Sequence, residues 1–378
     1  MRKILFLTFC IVFLNGTMAT LTRAADFPPL ISSIRMSPPV DFCGEPVPLD
    51  NQQVYEGLEK ELLLFAWNRS QVILWLKRTG RYMPYIEKKL RENGMPDDLK
   101  YSAVVESSLI PHIRSSKYAT GFWQFIKSTG IRYGLTINSV IDERRNLHKS
   151  TEAAVSYLRN LYSDFGSWTL SVAAYNMGES GLRKRIDFQK TNDFYNLYLP
   201  LETQRHILKI VAVKMLLANP EKYGFHLTQK DFYRPVRFDR VQVDCPRKVP
   251  LPIIAEAAGT YYKTIRELNP EIRNRHLPPG TYSIAIPEGS SGDFYARYGT
   301  LRDEWVAEKQ KEAEIKRIKK AKKRKKAKKR KRFYTVRRGD NLSRIAARFK
   351  VPMSKLVKWN RLNRKKTLYV GKRLIVRQ

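Results

Sequence analysis

Apolar residues recur three and four apart from Val54 to about Asn93, and further helical runs follow to about residue 219. That spacing commits nearly half the chain to helices buried against helices. Leu58, Leu62, Leu63 and Ala66, then Val72, Ile73 and Leu76, set the first stripe. Gly80 and Pro84 predict a break that divides the stretch up to Asn93 into at least two helices. Pro96-Asp97-Asp98 predicts a helix start, with proline and acids in the first turn, running through Leu99 to about Val105. Thr151 precedes a run striped by Ala154, Leu158 and Leu161 and reads as its N-cap. Trp168–Tyr175 and Leu201–Leu217 predict two more helices. Strand signals are nearly absent, so residues 54–219 read as all-α. Residues 26–50, with Pro28, Pro29, Pro38, Pro39, Pro46 and Pro48, read as an extended lead-in.

The texture changes after residue 235. Val241-Gln242-Val243 and Tyr282–Ile286 predict short strands around two short helical patterns. The same strand–helix–helix–strand order returns from Tyr334-Thr335-Val336 to residue 376. Between the two lies a basic run. Residues 309–332 carry sixteen Lys and Arg against two acids, and residues 333–378 carry fourteen against one. Of the net charge of +36, only +9 remains for the first 308 residues. The back of the chain is a polycation and calls for a polyanionic partner.

The N-terminus directs that choice. Arg2 and Lys3 precede the eleven-residue run Ile4–Leu14, and small residues follow, with cleavage expected after Ala19 or Ala24. This predicts a signal peptide over residues 1–24, because a membrane span needs roughly 20 apolar residues. No small-residue triplet precedes a cysteine, so no lipoprotein signal is read. The expected destination is across the inner membrane, in the periplasm or cell envelope. Nucleic acid is not an expected partner, since the basic run also lacks interleaved aromatics. Cleavage would remove Cys10 and leave Cys43 and Cys245, which spacing alone leaves either paired or free. Five histidines and two cysteines without ligand spacing, and no glycine-rich phosphate loop, predict no metal and no cofactor.

One carboxylate stands out. Tyr101-Ser102-Ala103-Val104-Val105 leads straight into Glu106-Ser107-Ser108. A half-buried acid at the end of an apolar run is favoured in its protonated form, as a general acid requires. Gly121-Phe122-Trp123-Gln124-Phe125 sets an amide among aromatics, chemistry suited to sugar hydroxyls and ring faces. Ala174-Tyr175-Asn176-Met177-Gly178 repeats it. Leu199-Pro200-Leu201-Glu202-Thr203 follows. Asp142, Glu143 and Glu202 read as cap or ion-pair residues, and Glu179 as solvent-facing.

In this order and spacing the segments resemble the lytic transglycosylases, over roughly residues 90–215. The whole layout resembles their membrane-bound murein transglycosylase D branch, which ends in LysM modules. The resemblance implies a lysozyme-like helical domain at 90–219 behind a helical extension at 25–89. It also implies a degenerate LysM-like module at 235–290, a basic linker at 303–332 and a βααβ LysM domain at 333–376. It makes Glu106 the single catalytic acid and base. Ser107, Gln124, Tyr175 and Asn176 would orient Glu106 and the sugar. Ordinary glycosidases use two carboxylates. Here the implied route needs one: Glu106 protonates the bond between MurNAc and GlcNAc, then accepts the proton of the C6 hydroxyl, giving a 1,6-anhydro product. His206 stands where the branch has tyrosine, which leaves that position's role open. In the last module Gly339, Asp340, Asn341 and Leu342 would line one side of a groove for GlcNAc-containing chains. Peptidoglycan strands are the implied partner, with anionic envelope polymer or lipid as partner for the basic run. The competing readings are a non-catalytic wall-binding protein and a hydrolytic lysozyme of the same fold.

Overall fold

The computed structural model describes residues 30–330, 332–363 and 368–377, so the expected signal peptide and Cys10 lie outside the described residues. The chain divides into two compact units, Met1–Phe238 with Arg266–Arg275, and Asp239–Ile265 with His276–Gln378.

The first unit is helical. Its elements are α1 (Leu30–Ile34), a two-residue hairpin β1 (Asp41–Phe42) and β2 (Glu45–Pro46), α2 (Gln52–Trp67), α3 (Arg69–Glu92), α4 (Lys100–Ser107), α5 (Lys127–Arg132), α6 (Leu147–Phe165), α7 (Trp168–Met177), α8 (Glu179–Gln189) and α9 (Leu201–Ala218). One cluster of buried side chains runs from Ile34 through Leu58, Leu90, Trp123, Leu158 and Ile210 to Phe225. Leu58, Leu62, Ala66, Val72 and Leu76 of the predicted stripe face into it at helical spacing, whereas Leu63 and Ile73 are exposed.

Four sequence expectations change. The break between the first two long helices falls at Asn68, not at Gly80 or Pro84, which both lie inside α3. Asn68 ends α2 through its N–H to the Leu64 carbonyl and starts α3 by accepting the Gln71 N–H. Gly80 instead permits close packing: a Cβ there would stand 2.8 Å from the Phe232 Cβ and 2.9 Å from the Tyr233 carbonyl. Thr151 is not a cap. Asn146 caps α6 one turn earlier, and the buried Thr151 hydroxyl accepts the Trp123 indole N–H at 3.0 Å. The lead-in is not merely extended. Its hairpin presents Glu45 to the start of α7, where the carboxylate accepts the Trp168 and Thr169 backbone N–H groups and the Ser167 hydroxyl. An acid at a helix N-terminus also meets the positive end of the helix dipole. Finally, Glu179 is not solvent-facing alone: it pairs with Arg132 at 2.7 Å.

The second unit holds β3 (Phe238–Cys245, with Phe238 in the first unit), β4 (Val249–Pro250), α10 (Leu251–Ala257), β5 (His276–Leu277) and β6 (Gly280–Pro287), with α11 (Tyr262–Leu268) spanning the chain division. β3 pairs with β6, and β4 with β5. Then come α12 (Phe294–Arg330), β7 (Arg332–Thr335), α13 (Leu342–Arg348), α14 (Met353–Asn360) and β8 (Arg373–Arg377). β7 and β8 are antiparallel and, with the two helices, enclose Val336, Ile345, Ala346, Leu356, Leu374 and Val376. This is the expected βααβ order. The basic linker belongs to a helix that begins at Phe294, before the expected residue 303. Cys43 and Cys245 are free thiols. Among the described residues no helix is long and apolar enough to cross a membrane.

Thr151→Val should leave the buried Trp123 N–H without an acceptor. The expected cost is about 1–3 kcal/mol, read as a lower denaturant midpoint; an unchanged midpoint would show that the contact does not support the core.

Candidate active site

Glu106 sits in the last turn of α4, with Tyr101 to Val104 buried before it. The helix stops abruptly because Ser108 and Leu109 both take left-handed conformations, φ 53° and 56°. The Ser108 N–H closes the last turn on the Val104 carbonyl at 2.7 Å. The stop leaves Glu106 at the edge of the core, its side chain 15% exposed.

Ser107 is buried, and its hydroxyl lies between two carbonyls, Ala103 at 3.0 Å and Phe122 at 2.8 Å. It therefore ties α4 to the segment Gly121–Gln124 and has no face for a sugar. That segment is a tight turn. Gly121 has φ 85°, and a Cβ there would fall 1.7 Å from the Arg144 carbonyl oxygen, so only glycine fits. Gln124 has φ 46°, and its amide N–H2 donates to the Gly121 carbonyl at 2.8 Å. Trp123 is fully buried, and its carbonyl accepts the Tyr175 hydroxyl at 2.6 Å.

The turn is held by a residue that sequence reasoning missed. Arg144 is buried and binds both Asp142 oxygens, at 2.8 and 2.9 Å. Its remaining nitrogen donates to the Tyr118 and Phe125 carbonyls on either side of the turn. Asp142 is thus an ion-pair residue, as expected. Burial alone would raise its carboxyl, but the Arg144 guanidinium more than offsets this and holds it below the usual range. The only sequence hint was an Asp and an Arg two apart after a glycine-bearing turn.

α7 and α9 supply the opposite side. Burial, then the charge of Glu106, pushes the Tyr175 hydroxyl well above its ordinary range, so it remains a neutral donor. Asn176 accepts the hydroxyl of the buried Thr203 through Oδ1 at 2.9 Å, which fixes its amide orientation. Thr203 closes the Leu-Pro-x-Glu-Thr run and was not singled out in sequence. One turn along α9, the buried His206 brings Nε2 to 3.3 Å from Glu106 Oε1. No hydrogen bond forms between them, and Nε2 has no other partner among the described residues. The structure thus gathers Glu106, Gln124, Tyr175, Asn176 and His206 around one turn, with Ser107 behind it. The other acids of these segments are engaged elsewhere: Glu143 accepts the Thr136 N–H, Glu179 pairs with Arg132, and Glu202 pairs with Lys117.

In the last module the four expected groove residues form a turn. Gly339 has φ 86°. Asp340 accepts the Tyr334 hydroxyl and the Arg337 N–H, both at 2.7 Å, and Asn341 caps α13 on the Arg344 N–H. Leu342 packs against the small core. The polar side chains of this turn are spent on building it.

Glu106 thus stands in a helical domain beside His206 and near Tyr175, and a βααβ module follows in the chain. Residues 83–198 match the transglycosylase SLT domain, and residues 251–282 and 334–377 match the LysM domain. The membrane-bound lytic murein transglycosylase D of Escherichia coli strain K12 is 32% identical over 318 residues, covering 83% of this chain and 66% of the relative. A putative tributyltin chloride resistance protein of Alteromonas sp. strain M-1 is 29% identical over 117 residues, covering 30% of this chain and 56% of that protein. The 70 kDa soluble lytic transglycosylase of Escherichia coli aligns in structure with a TM-score of 0.32 at 16% identity, covering 47% of this chain and 33% of the other. The chain carries a transglycosylase SLT domain and LysM domains, and it spans 66% of the length of the murein transglycosylase D to which it is similar.

Arg144→Met would strand the Asp142 carboxylate in the interior, at an expected cost of about 3–5 kcal/mol. The pair also fixes a pH dependence. Because Asp142 is depressed in the folded state, its contribution is complete above the unfolded carboxyl value, about 3.9, and is lost as pH falls through the lower folded value. Denaturation measured from pH 7 to pH 2 should show this acid slope in the wild type and a shallower one in Asp142→Asn; parallel slopes would refute it.

Proposed function

We propose that the protein cleaves the β-1,4 bond between MurNAc and GlcNAc in peptidoglycan and leaves a 1,6-anhydroMurNAc end. The observation that carries this reading is the single half-buried carboxylate of Glu106, set among groups that offer hydrogen bonds but no second acid. Glu106 gives its proton to the glycosidic oxygen as the C1–O4 bond breaks. The C6 hydroxyl of the same MurNAc attacks C1, and its proton passes to Glu106, which returns to its starting state. No water is consumed. With one carboxylate there is neither a second group to form a glycosyl-enzyme nor one to activate water on the far face.

Gln124, Tyr175 and Asn176 are the proposed substrate-facing groups, and Ser107 is a positioning residue acting through Phe122 and α4. His206 takes the place beside Glu106 that tyrosine holds in the branch; its uncommitted Nε2 is available to a sugar hydroxyl or to the protonated acid. The last LysM domain would hold the enzyme on glycan strands through the turn Gly339–Leu342, using that turn's backbone and shape. The polycationic helix adds a salt-sensitive attraction to anionic envelope polymer or lipid. The predicted leader supports a setting in the periplasm or cell envelope.

Digestion of purified peptidoglycan followed by mass spectrometry of the muropeptides separates the readings. Anhydro ends are expected from the wild type. Reducing ends would mean a hydrolytic lysozyme, and no products a binding protein. Glu106→Gln should reduce product formation by about 10²–10⁴-fold while sedimentation with peptidoglycan stays unchanged; a variant that still cut at wild-type rate would remove Glu106 from the chemistry.

A further inference from the structure

The loop that carries Arg144 is itself held by a segment far along the chain. Arg266–Arg275 belongs to the helical unit, although it lies inside residues 251–282 of the first LysM match. Arg266 closes the segment on itself by donating to the Ile272 and Asn274 carbonyls. Ile272 is buried and pairs with Ile141 in an antiparallel bridge. On either side of that bridge, the Asp142 N–H donates to the Glu271 carbonyl at 2.8 Å and the Arg273 N–H donates to the Val140 carbonyl at 2.7 Å. The Arg273 guanidinium adds a bond to the Asn138 carbonyl at 3.2 Å.

The Glu271 side chain makes a second hold. Its Oε1 accepts the Asn146 amide N–H at 2.9 Å, and both side chains are buried. A carboxamide has a donor end and an acceptor end. Giving Nδ2 to Glu271 leaves Oδ1 of Asn146 for the His148 and Lys149 N–H groups at the start of α6. Glu271 therefore fixes the cap of α6 with its side chain and Asp142 with its carbonyl. Arg144 lies between those two residues in sequence. α6 in turn carries Thr151, which accepts the Trp123 indole N–H, and Tyr157, whose ring centre is 5.1 Å from that of Tyr175. At 6% exposure Glu271 has no face for a glycan. A buried acid is costly unless it meets donors, and the donor it meets here belongs to the frame of the active site.

We propose that Glu271 is a positioning residue for the Glu106 site, acting through Asp142, Arg144 and Asn146. This stretch of the first LysM-type module then serves the active site. Its effect on rate rests on the lytic reading of Glu106; its hold on the loop does not. The chemistry is sensitive to such a brace, because a shift of about 1 Å in a reacting group can cost on the order of 10²-fold in rate.

The test compares the full chain with Glu271→Leu, which removes the acceptor, and Glu271→Gln, which keeps it for Asn146. Circular dichroism establishes that each is folded. For release of anhydro ends from glycan strands, Glu271→Leu should lower kcat at least about tenfold with KM within about twofold, and Glu271→Gln should retain at least about half the wild-type rate. Asn146→Ser still caps α6 but no longer reaches Glu271; it should lower kcat likewise, and it decides the matter if Glu271→Leu does not fold. Amide hydrogen exchange reads the brace without any reaction. Residues 118–125 and 138–146 should exchange at least about tenfold faster in Glu271→Leu, with α2 unchanged. Unchanged exchange in those residues would overturn the proposal. So would an equal loss of rate in Glu271→Leu and Glu271→Gln, or a change in KM alone, which would make Glu271 part of glycan binding. A wild type that releases no anhydro ends would instead overturn the lytic reading, with the exchange rates still deciding the brace.

Discussion

The reactive region hangs on one buried guanidinium. Arg144 meets both oxygens of Asp142 and two carbonyls flanking the turn that carries Gln124. A planar fork with five donors does this from a single position, whereas an ammonium would not. A buried ion pair is weak evidence for stability in itself. Its value here is geometric. The Arg144 main-chain carbonyl lies so close under the turn that Gly121 has no room for a Cβ, and the carbonyls of Phe122 and Trp123 accept the Ser107 and Tyr175 hydroxyls. Glu106 is thereby set against α7 by two hydrogen bonds that never touch it.

Much of this was legible in the chain. Helical periodicity marked the domain, and Glu106, Gln124, Tyr175 and Asn176 were found as motif residues because each motif is local. What was not legible depends on partners distant in sequence. Thr151 looks like a cap because Ser and Thr favour that position, yet its hydroxyl serves Trp123 on another segment. Gly80 and Pro84 look like breakers, but a proline removes one helix hydrogen bond, and Gly80 is needed where Phe232 and Tyr233 press on the helix. Glu45 lies in a proline-rich stretch with no pattern of its own, and becomes the cap of α7 only through a hairpin. Arg144 had no signal beyond its charge.

His206 puts an imidazole, not a phenol, beside Glu106. A tyrosine hydroxyl can donate to a carboxylate and stays neutral across the working range of most enzymes. An imidazole offers a donor and an acceptor, or two donors, according to its protonation. At 3.3 Å, with the acid and the ring both largely buried, the imidazole forms part of the immediate surroundings of the Glu106 carboxylate.

The long helix α12 carries most of the polycationic run. Thirty-seven residues at 1.5 Å rise make a rod of about 55 Å. Its first turns are anchored: Phe294 is buried, and Tyr298 stacks on it and donates to the Asp244 carbonyl. Beyond Ile318 the sequence has almost only Lys and Arg, so cations recur at three and four apart with no acid to offset them. Such neighbours repel and weaken a helix in water. There is also no apolar stripe to hold the stretch against a core or sink into a bilayer. What stabilises a rod charged on every side is counter-charge, which an anionic polymer can supply along its length and a flat surface on one side only. The same helix is pinned near its start by Trp305, whose indole N–H donates to the Lys248 carbonyl, so the basic end extends from an anchored base.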